Sequence, residues 1–218
     1  MAKIRLAVLL SGSGTTLQNM VDCIGAGTLD AQVELVIASR AGLKGSDRAR
    51  NAGLNHVVLP RREYADVASY SSAVFRHIHD VNPDLICFAG WLCLLDLPQR
   101  WLGRAMNIHP SLLPSFGGKG MHGHHVHEAV LNHGCKVSGC TVHFVDNTYD
   151  TGPIIVQRSC PAMDSDTPDT LAARVFEQEK LAYIEAIQLF QDGRLQIDGR
   201  RVRVSESESR SQHEGVGG

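Results

Sequence analysis

Lys3-Ile4-Arg5-Leu6-Ala7-Val8-Leu9-Leu10-Ser11-Gly12-Ser13-Gly14-Thr15-Thr16-Leu17 opens the chain with an apolar run, a loop of small residues and the start of a helix-period segment. An apolar run bounded by Gly and Ser reads as a strand. The small residues after it let backbone N–H groups and the positive end of the next helix approach an anion, with the Ser13, Thr15 and Thr16 hydroxyls as further donors. A plain tight turn would look similar. A dinucleotide fingerprint would need a third glycine at Leu17 and an acid at the end of the second strand, where Ser39 stands. A Walker loop would need a Gly-Lys-Ser/Thr, which is missing, so a monophosphate is the ligand this loop fits best.

The same alternation continues outward from that stretch. Apolar runs that read as strands lie at 3–10, 33–39, 56–59, 84–89, 105–109, 138–145 and 153–158. Helix-period segments lie at 16–25, 45–52, 61–81 (which a break could divide) and 125–133. A long helix is predicted over 170–191, with Leu171, Val175, Leu181, Ile184, Ile187 and Leu189 at roughly helical spacing. This is the pattern of an α/β fold: a Rossmann-like, open, mostly parallel twisted sheet of about seven strands with helices on both faces. Asp198-Gly199-Arg200 between 194–198 and 201–205 reads as a hairpin. We expect one domain over 1–204 and a disordered polar tail over 205–218, which is too poor in apolar residues to offset the entropy of ordering.

Composition narrows the function. Among 218 residues, Lys plus Arg (21) nearly balance Asp plus Glu (23), with no polybasic run, so no nucleic-acid partner is expected. No apolar stretch approaches the ~18 residues of a membrane span, and the start of the chain lacks the length and cleavage site of a signal peptide. Neither a membrane partner nor export is expected. The six cysteines show no C-x-x-C pair and mostly sit in apolar segments, which suits buried free thiols in a reducing cytoplasm.

Two further motifs can carry chemistry. Asn107-Ile108-His109-Pro110-Ser111-Leu112-Leu113-Pro114 lies at the carboxyl end of a predicted strand, where open α/β sheets bind ligands. Alternation sends Asn107 and His109 to one face, giving an amide N–H and an imidazole a common target. Such a pair suits an oxyanion forming on an attacked carbonyl. Val142-His143-Phe144-Val145-Asp146-Asn147-Thr148-Tyr149-Asp150-Thr151-Gly152-Pro153 then supplies a strand and an acidic loop. A carboxylate there could reach His109, raise its pKa and keep the charged form available near neutral pH. On spacing alone either Asp146 or Asp150 could do so.

These three motifs, in this order, resemble the folate-dependent formyltransferases, and the similarity runs over about 4–194. The Asn-Ile-His-Pro-Ser-Leu-Leu-Pro block points to the family as a whole. The Ser-Gly-x-Gly-Thr loop points to its branch acting on glycinamide ribonucleotide. The resemblance implies transfer of a formyl group from 10-formyltetrahydrofolate to that acceptor's amine, in purine biosynthesis, by direct attack and without a metal. It implies a catalytic trio of Asn107, His109 and Asp150, phosphate contacts at Gly14, Thr15 and Thr16, and a ribose contact at Glu179. It puts the folate site at Leu92, Cys93, Leu94 and Leu95 and on the loop carrying Asp146 and Asp150, with Asn107 shared. A cis Leu113–Pro114 bond is implied too. The partners implied are these small molecules, with the chain a monomer or homodimer.

Some positions depart from the family pattern. Cys93 and Val67 stand where relatives often carry polar or arginine residues, which removes side-chain help for the folate tail. The segment after Pro114 is longer and holds His122, His124, His125 and His127 without the spacing of a metal site, so it reads as a solvated loop or helix start. The alternatives are an amino-sugar nucleotide acceptor and a non-catalytic nucleotide-binding module of the same fold. A transfer RNA acceptor is disfavoured by the lack of a basic surface.

Overall fold

Six of the seven residues of β1 (Ile4–Leu10) are buried. Alternation divides them between two cores. Leu6, Val8 and Leu10 pack with Leu17, Met20, Val175, Tyr183 and Ile187, while Ala7 and Leu9 pack on the opposite face with Tyr70, Val74, Ile78 and Trp101. A strand buried on both faces is what a parallel sheet sandwiched between helices requires.

The computed structural model describes residues 2–206. After β1 come α1 (Thr15–Gly25), β2 (Ala31–Ala38), α2 (Lys44–Asn51), β3 (His56–Val58), α3 (Val67–Val81), β4 (Leu85–Phe88) and β5 (Ala105–His109). They are followed by α4 (His124–Asn132), β6 (Val137–Phe144), β7 (Ile154–Pro161), α5 (Pro168–Gln191), β8 (Leu195–Asp198) and β9 (Arg201–Val204). The sheet runs β3-β2-β1-β4-β5-β6-β7-β9-β8. Its β3 to β5 half is parallel, β6 runs antiparallel to both β5 and β7, and β7 pairs parallel with β9. The order reverses at β1 and β4, so the loops after these two strands border a crevice at their carboxyl ends.

The Rossmann-like α/β architecture is the expected one, with two differences of detail. The sheet has nine strands rather than about seven, because the 194–205 hairpin joins it as β8 and β9, β9 pairing with β7 at Ile154 and Arg201. The 61–81 segment is divided into a 3-10 turn (Arg61–Glu63) and α3, because Asp66 caps α3 by accepting from the Ser69 N–H at 2.7 Å. The expected tail falls largely on 207–218, outside the described residues.

α5 begins two residues before the apolar periodicity suggested. Thr167 accepts from the Thr170 N–H at 3.3 Å, and Pro168 occupies the first helical position, where its missing N–H is no loss. This cap is exposed, and neither Thr167 nor Thr170 lines a cavity. Thr167→Ala is therefore expected to cost about 1 kcal/mol of stability in urea unfolding, and an unchanged midpoint would show the cap to be idle.

Candidate active site

The loop after β1 is shaped by a close approach. Gly14 caps α1 at φ 72°, and a Cβ there would lie 2.5 Å from the Gly45 Cα of α2. Only glycine permits both the left-handed conformation and that contact. No side chain caps α1, so its first N–H groups, Thr15 and Thr16 among them, are left for a ligand at the positive end of the helix dipole. Arg48, which the sequence did not single out, donates to the Ser13 carbonyl at 3.1 Å and brings a guanidinium to this loop. The loop after β4 is tied in by Ser11, whose N–H donates to the Gly90 carbonyl and whose hydroxyl accepts from the Leu92 N–H, both at 3.0 Å.

Asn107 and His109 stand on β5 as the alternation predicted. From the 145–153 loop Asp150 reaches toward them, accepting from the Gly118 N–H at 2.8 Å and from Asn107 Nδ2 at 3.4 Å. Its carboxylate also faces His109 Nδ1 at 3.5 Å. Asp146 points elsewhere. It accepts from the Thr148 N–H and the Thr151 hydroxyl, each at 2.9 Å, and so closes its own loop. The loop fits this way because Gly152 lies where a Cβ would meet the Phe144 carbonyl oxygen at 1.7 Å. The Leu113–Pro114 bond is cis.

A second histidine completes the cluster. His143 lies opposite Asn107 on β6. Its Nδ1 is 2.8 Å from the Phe144 carbonyl, which can only accept, so the hydrogen sits on Nδ1 and Nε2 accepts from Asn107 Nδ2 at 3.1 Å. His143 thereby orients the amide. The sequence held His143 in the third motif but gave no reason to pair it with Asn107 before β6 was known to run antiparallel beside β5.

The electrostatics correct one expectation. His109 is 3% exposed, and burial takes its pKa below the ordinary value, outweighing the upward pull of Asp150 and of the Phe116 carbonyl that accepts from Nε2 at 2.8 Å. The ring is therefore neutral at neutral pH in the free protein, not held charged by the carboxylate. For Asp150, burial acts upward, but His143, His109 and the Gly118 N–H together prevail and keep its pKa below the ordinary value.

Two cavities meet at this cluster. The larger, about 630 Å³, is lined by Gly14, Thr15 and Thr16, by Leu92, by Asn107, His109 and Asp150, and by His127, Phe176 and Glu179. The smaller, about 60 Å³, is lined by Cys93, Leu94 and Leu95, by Asn107 and His143, and by Asp146, Tyr149 and Asp150. Asn107 and Asp150, with Trp91 and Tyr149, line both and form the wall between them, and Leu92 falls on the larger side. A separate open groove of about 870 Å³, lined by Thr28, Glu185 and Arg194 among others, contains none of these residues. His124 and His125 face Asp169 and Glu128. Among the described residues no group of three or more His, Cys, Asp or Glu side chains is placed to hold a metal, and no helix is long and apolar enough to cross a membrane.

The profile of the family described as formyl transferase matches residues 4–187. Glycinamide ribonucleotide transformylase 1 from Symbiobacterium toebii superposes with a TM-score of 0.87 at 40% identity, over 94% of this chain and 95% of that one. The chloroplastic phosphoribosylglycinamide formyltransferase of Arabidopsis thaliana is 37% identical over 84% of this chain and 64% of its own length. The trifunctional purine biosynthetic protein adenosine-3 of Gallus gallus is 39% identical over 89% of this chain, which spans only 19% of that protein.

Glu179 gives a pH signature. No hydrogen bond or ion pair engages its carboxyl among the described residues, and burial pushes its pKa up to about 7 from an ordinary 4.5. A carboxyl raised in the folded state favours folding fully below the unfolded pKa, and that contribution is lost as pH rises through the folded one. Glu179→Gln cannot ionise. It is expected to melt above the unsubstituted protein at pH 8 and level with it near pH 4.5, and equal melting temperatures at pH 8 would show the carboxyl to be well solvated.

Proposed function

The chain belongs to the formyl transferase family, and on that premise we propose that it transfers the formyl group of 10-formyltetrahydrofolate to the primary amine of glycinamide ribonucleotide, a step of purine (IMP) biosynthesis. The observation that carries this reading is the shared wall. A cavity holding a helix N-terminus without a side-chain cap and a carboxyl unpaired among the described residues meets a second slot at Asn107 and Asp150, with His109 alongside. A two-substrate transfer needs such a meeting point.

In this reading Gly14, Thr15 and Thr16 hold the acceptor's phosphate, and Glu179 holds its ribose hydroxyls. Leu92, Cys93, Leu94, Leu95 and the loop bearing Asp146 and Asp150 hold the folate. A slot of about 60 Å³ is smaller than the ~300 Å³ from which ligand pockets usually start, so the 145–153 loop gives way as the donor enters. The acceptor nitrogen bonds to the formyl carbon, the bond from that carbon to the folate nitrogen breaks, and a proton passes from the amine to the departing nitrogen.

Asn107 exchanges its long 3.4 Å bond to Asp150 for one to the formyl oxygen as negative charge collects there, while His143 keeps the amide aimed. That charge raises the pKa of His109 again, and the ring takes the amine's proton and relays it. Asp150 supports the charged ring. No covalent enzyme intermediate is needed, because the amine is itself the nucleophile. The free thiols suit a reducing cytoplasm as the setting.

A spectrophotometric assay with a 10-formyl-dideazafolate donor tests this directly. Glycinamide ribonucleotide should be formylated and amino-sugar nucleotides left untouched; the reverse preference would overturn the assignment. Asn107→Ala and His109→Ala should each lower kcat by about a hundred- to a thousandfold, the usual effect of losing an oxyanion donor. Asp150→Asn should lower kcat far more than it raises either KM, because its charge matters most in the transition state. Near-normal turnover by Asp150→Asn across pH 6 to 9, about the range of imidazole titration, would remove Asp150 from the trio.

A further inference from the structure

α4 brings one more ring to the acceptor cavity. His127 sits in the helix's first turn, 4% exposed, and lines the cavity with Thr16, Phe176 and Glu179. Its Nδ1 is fully buried with no hydrogen-bond partner among the described residues. Three neighbouring histidines are engaged: His124 with Asp169 at 3.0 Å, His125 with Glu128 at 3.7 Å, and His109 with the Phe116 carbonyl and Asp150.

A buried imidazole without partners bears its desolvation cost with nothing in return, a feature that calls for a reason. Burial, and then repulsion from His124 and His109, takes its pKa down to about 4, so the ring is neutral at neutral pH. A neutral imidazole carries one donor and one acceptor nitrogen. An orphaned acceptor is the more tolerable of the two inside a protein. The walled-in Nδ1 is thus the bare nitrogen and Nε2 bears the hydrogen.

Resting on the function proposed above, we propose that His127 is a further acceptor-binding residue, whose Nε2–H donates to an oxygen of the acceptor's ribose phosphate half. The formyl end of the cavity is the wall formed by Asn107 and Asp150. His127 instead stands on α4, which packs against α5, the helix that carries Glu179, where the ribose oxygens lie in this reading. A neutral donor suits the position, because it binds an oxyanion without adding a second buried charge beside His109.

His127→Gln and His127→Phe test the assignment against a purely packing role. Both should raise the KM for glycinamide ribonucleotide by about tenfold or more while leaving the donor's KM within about twofold, the mark of binding lost to one substrate. A lowered melting temperature with no selective change in the acceptor's KM would overturn it. Nitrogen-15 NMR of the unsubstituted protein gives a second reading that does not depend on the variants folding. Ribose 5-phosphate should shift the His127 resonance and raise its pKa, and no perturbation at saturation would also overturn the assignment. Should the unsubstituted protein fail to formylate glycinamide ribonucleotide, the function proposed above falls, and the ribose 5-phosphate titration still decides whether His127 meets a phosphorylated sugar.

Discussion

The Asp150 carboxylate gathers three pieces of chain that are far apart in sequence: β5 by accepting from Asn107 and facing His109, β6 through the same Asn107 amide, which also donates to His143, and the segment after Pro114 through the Gly118 N–H. It does so from a left-handed backbone, φ 56°, which costs a non-glycine residue roughly 1–2 kcal/mol. Phe116, at φ 54°, is held the same way, and its carbonyl accepts from the other nitrogen of His109. Two strained residues thus aim two acceptors at one buried ring. Strain of this kind persists only where its surroundings over-determine it. Here the strands fix one side of the cluster and the loops are bent to meet it.

The ligand-free cavity is kept low in charge. Burial makes His109 and His127 neutral and draws Glu179 toward neutrality. The positive bias that remains comes from the α1 end, from Arg48 behind the Ser13 carbonyl, and from the exposed Lys119 on the glycine-rich segment bordering the cavity. A phosphorylated ligand adds negative charge beside the two rings and shifts both pKa values upward. Glu179 retains an oxygen able to accept from a hydroxyl in either protonation state.

The parts of the fold governed by local patterning were legible in the sequence. The strand, Gly14 turn and α1 followed from small residues after an apolar run, and Asn107 and His109 shared a face because strand alternation allows nothing else. What depended on contacts between distant segments was not legible. Asp146 and Asp150 are equivalent by spacing, and only the closed Asp146–Thr148–Thr151 loop leaves Asp150 free to turn inward. The loss of charge on His109 needed its depth of burial, which the motif does not encode. His127 looked like one of four histidines in a solvated segment, because a helix start reveals its buried face only when α5 is packed against it.

The order of strands explains why the site has two halves. The chain reverses direction across the sheet between β1 and β4, which opens the crevice where the α1 end and the Leu92 loop face each other. A second irregularity follows one strand later, where β6 joins β5 antiparallel. A parallel neighbour would have returned through a helix on the sheet's face. The antiparallel one instead places His143 directly opposite Asn107 and lets the 145–153 loop fold back over the strand. One irregularity makes the larger cavity and the other makes the slot. β5 borders both, pairing with β4 on one side and β6 on the other, so Asn107, projecting from its carboxyl half, lines both cavities together with Asp150 from the loop.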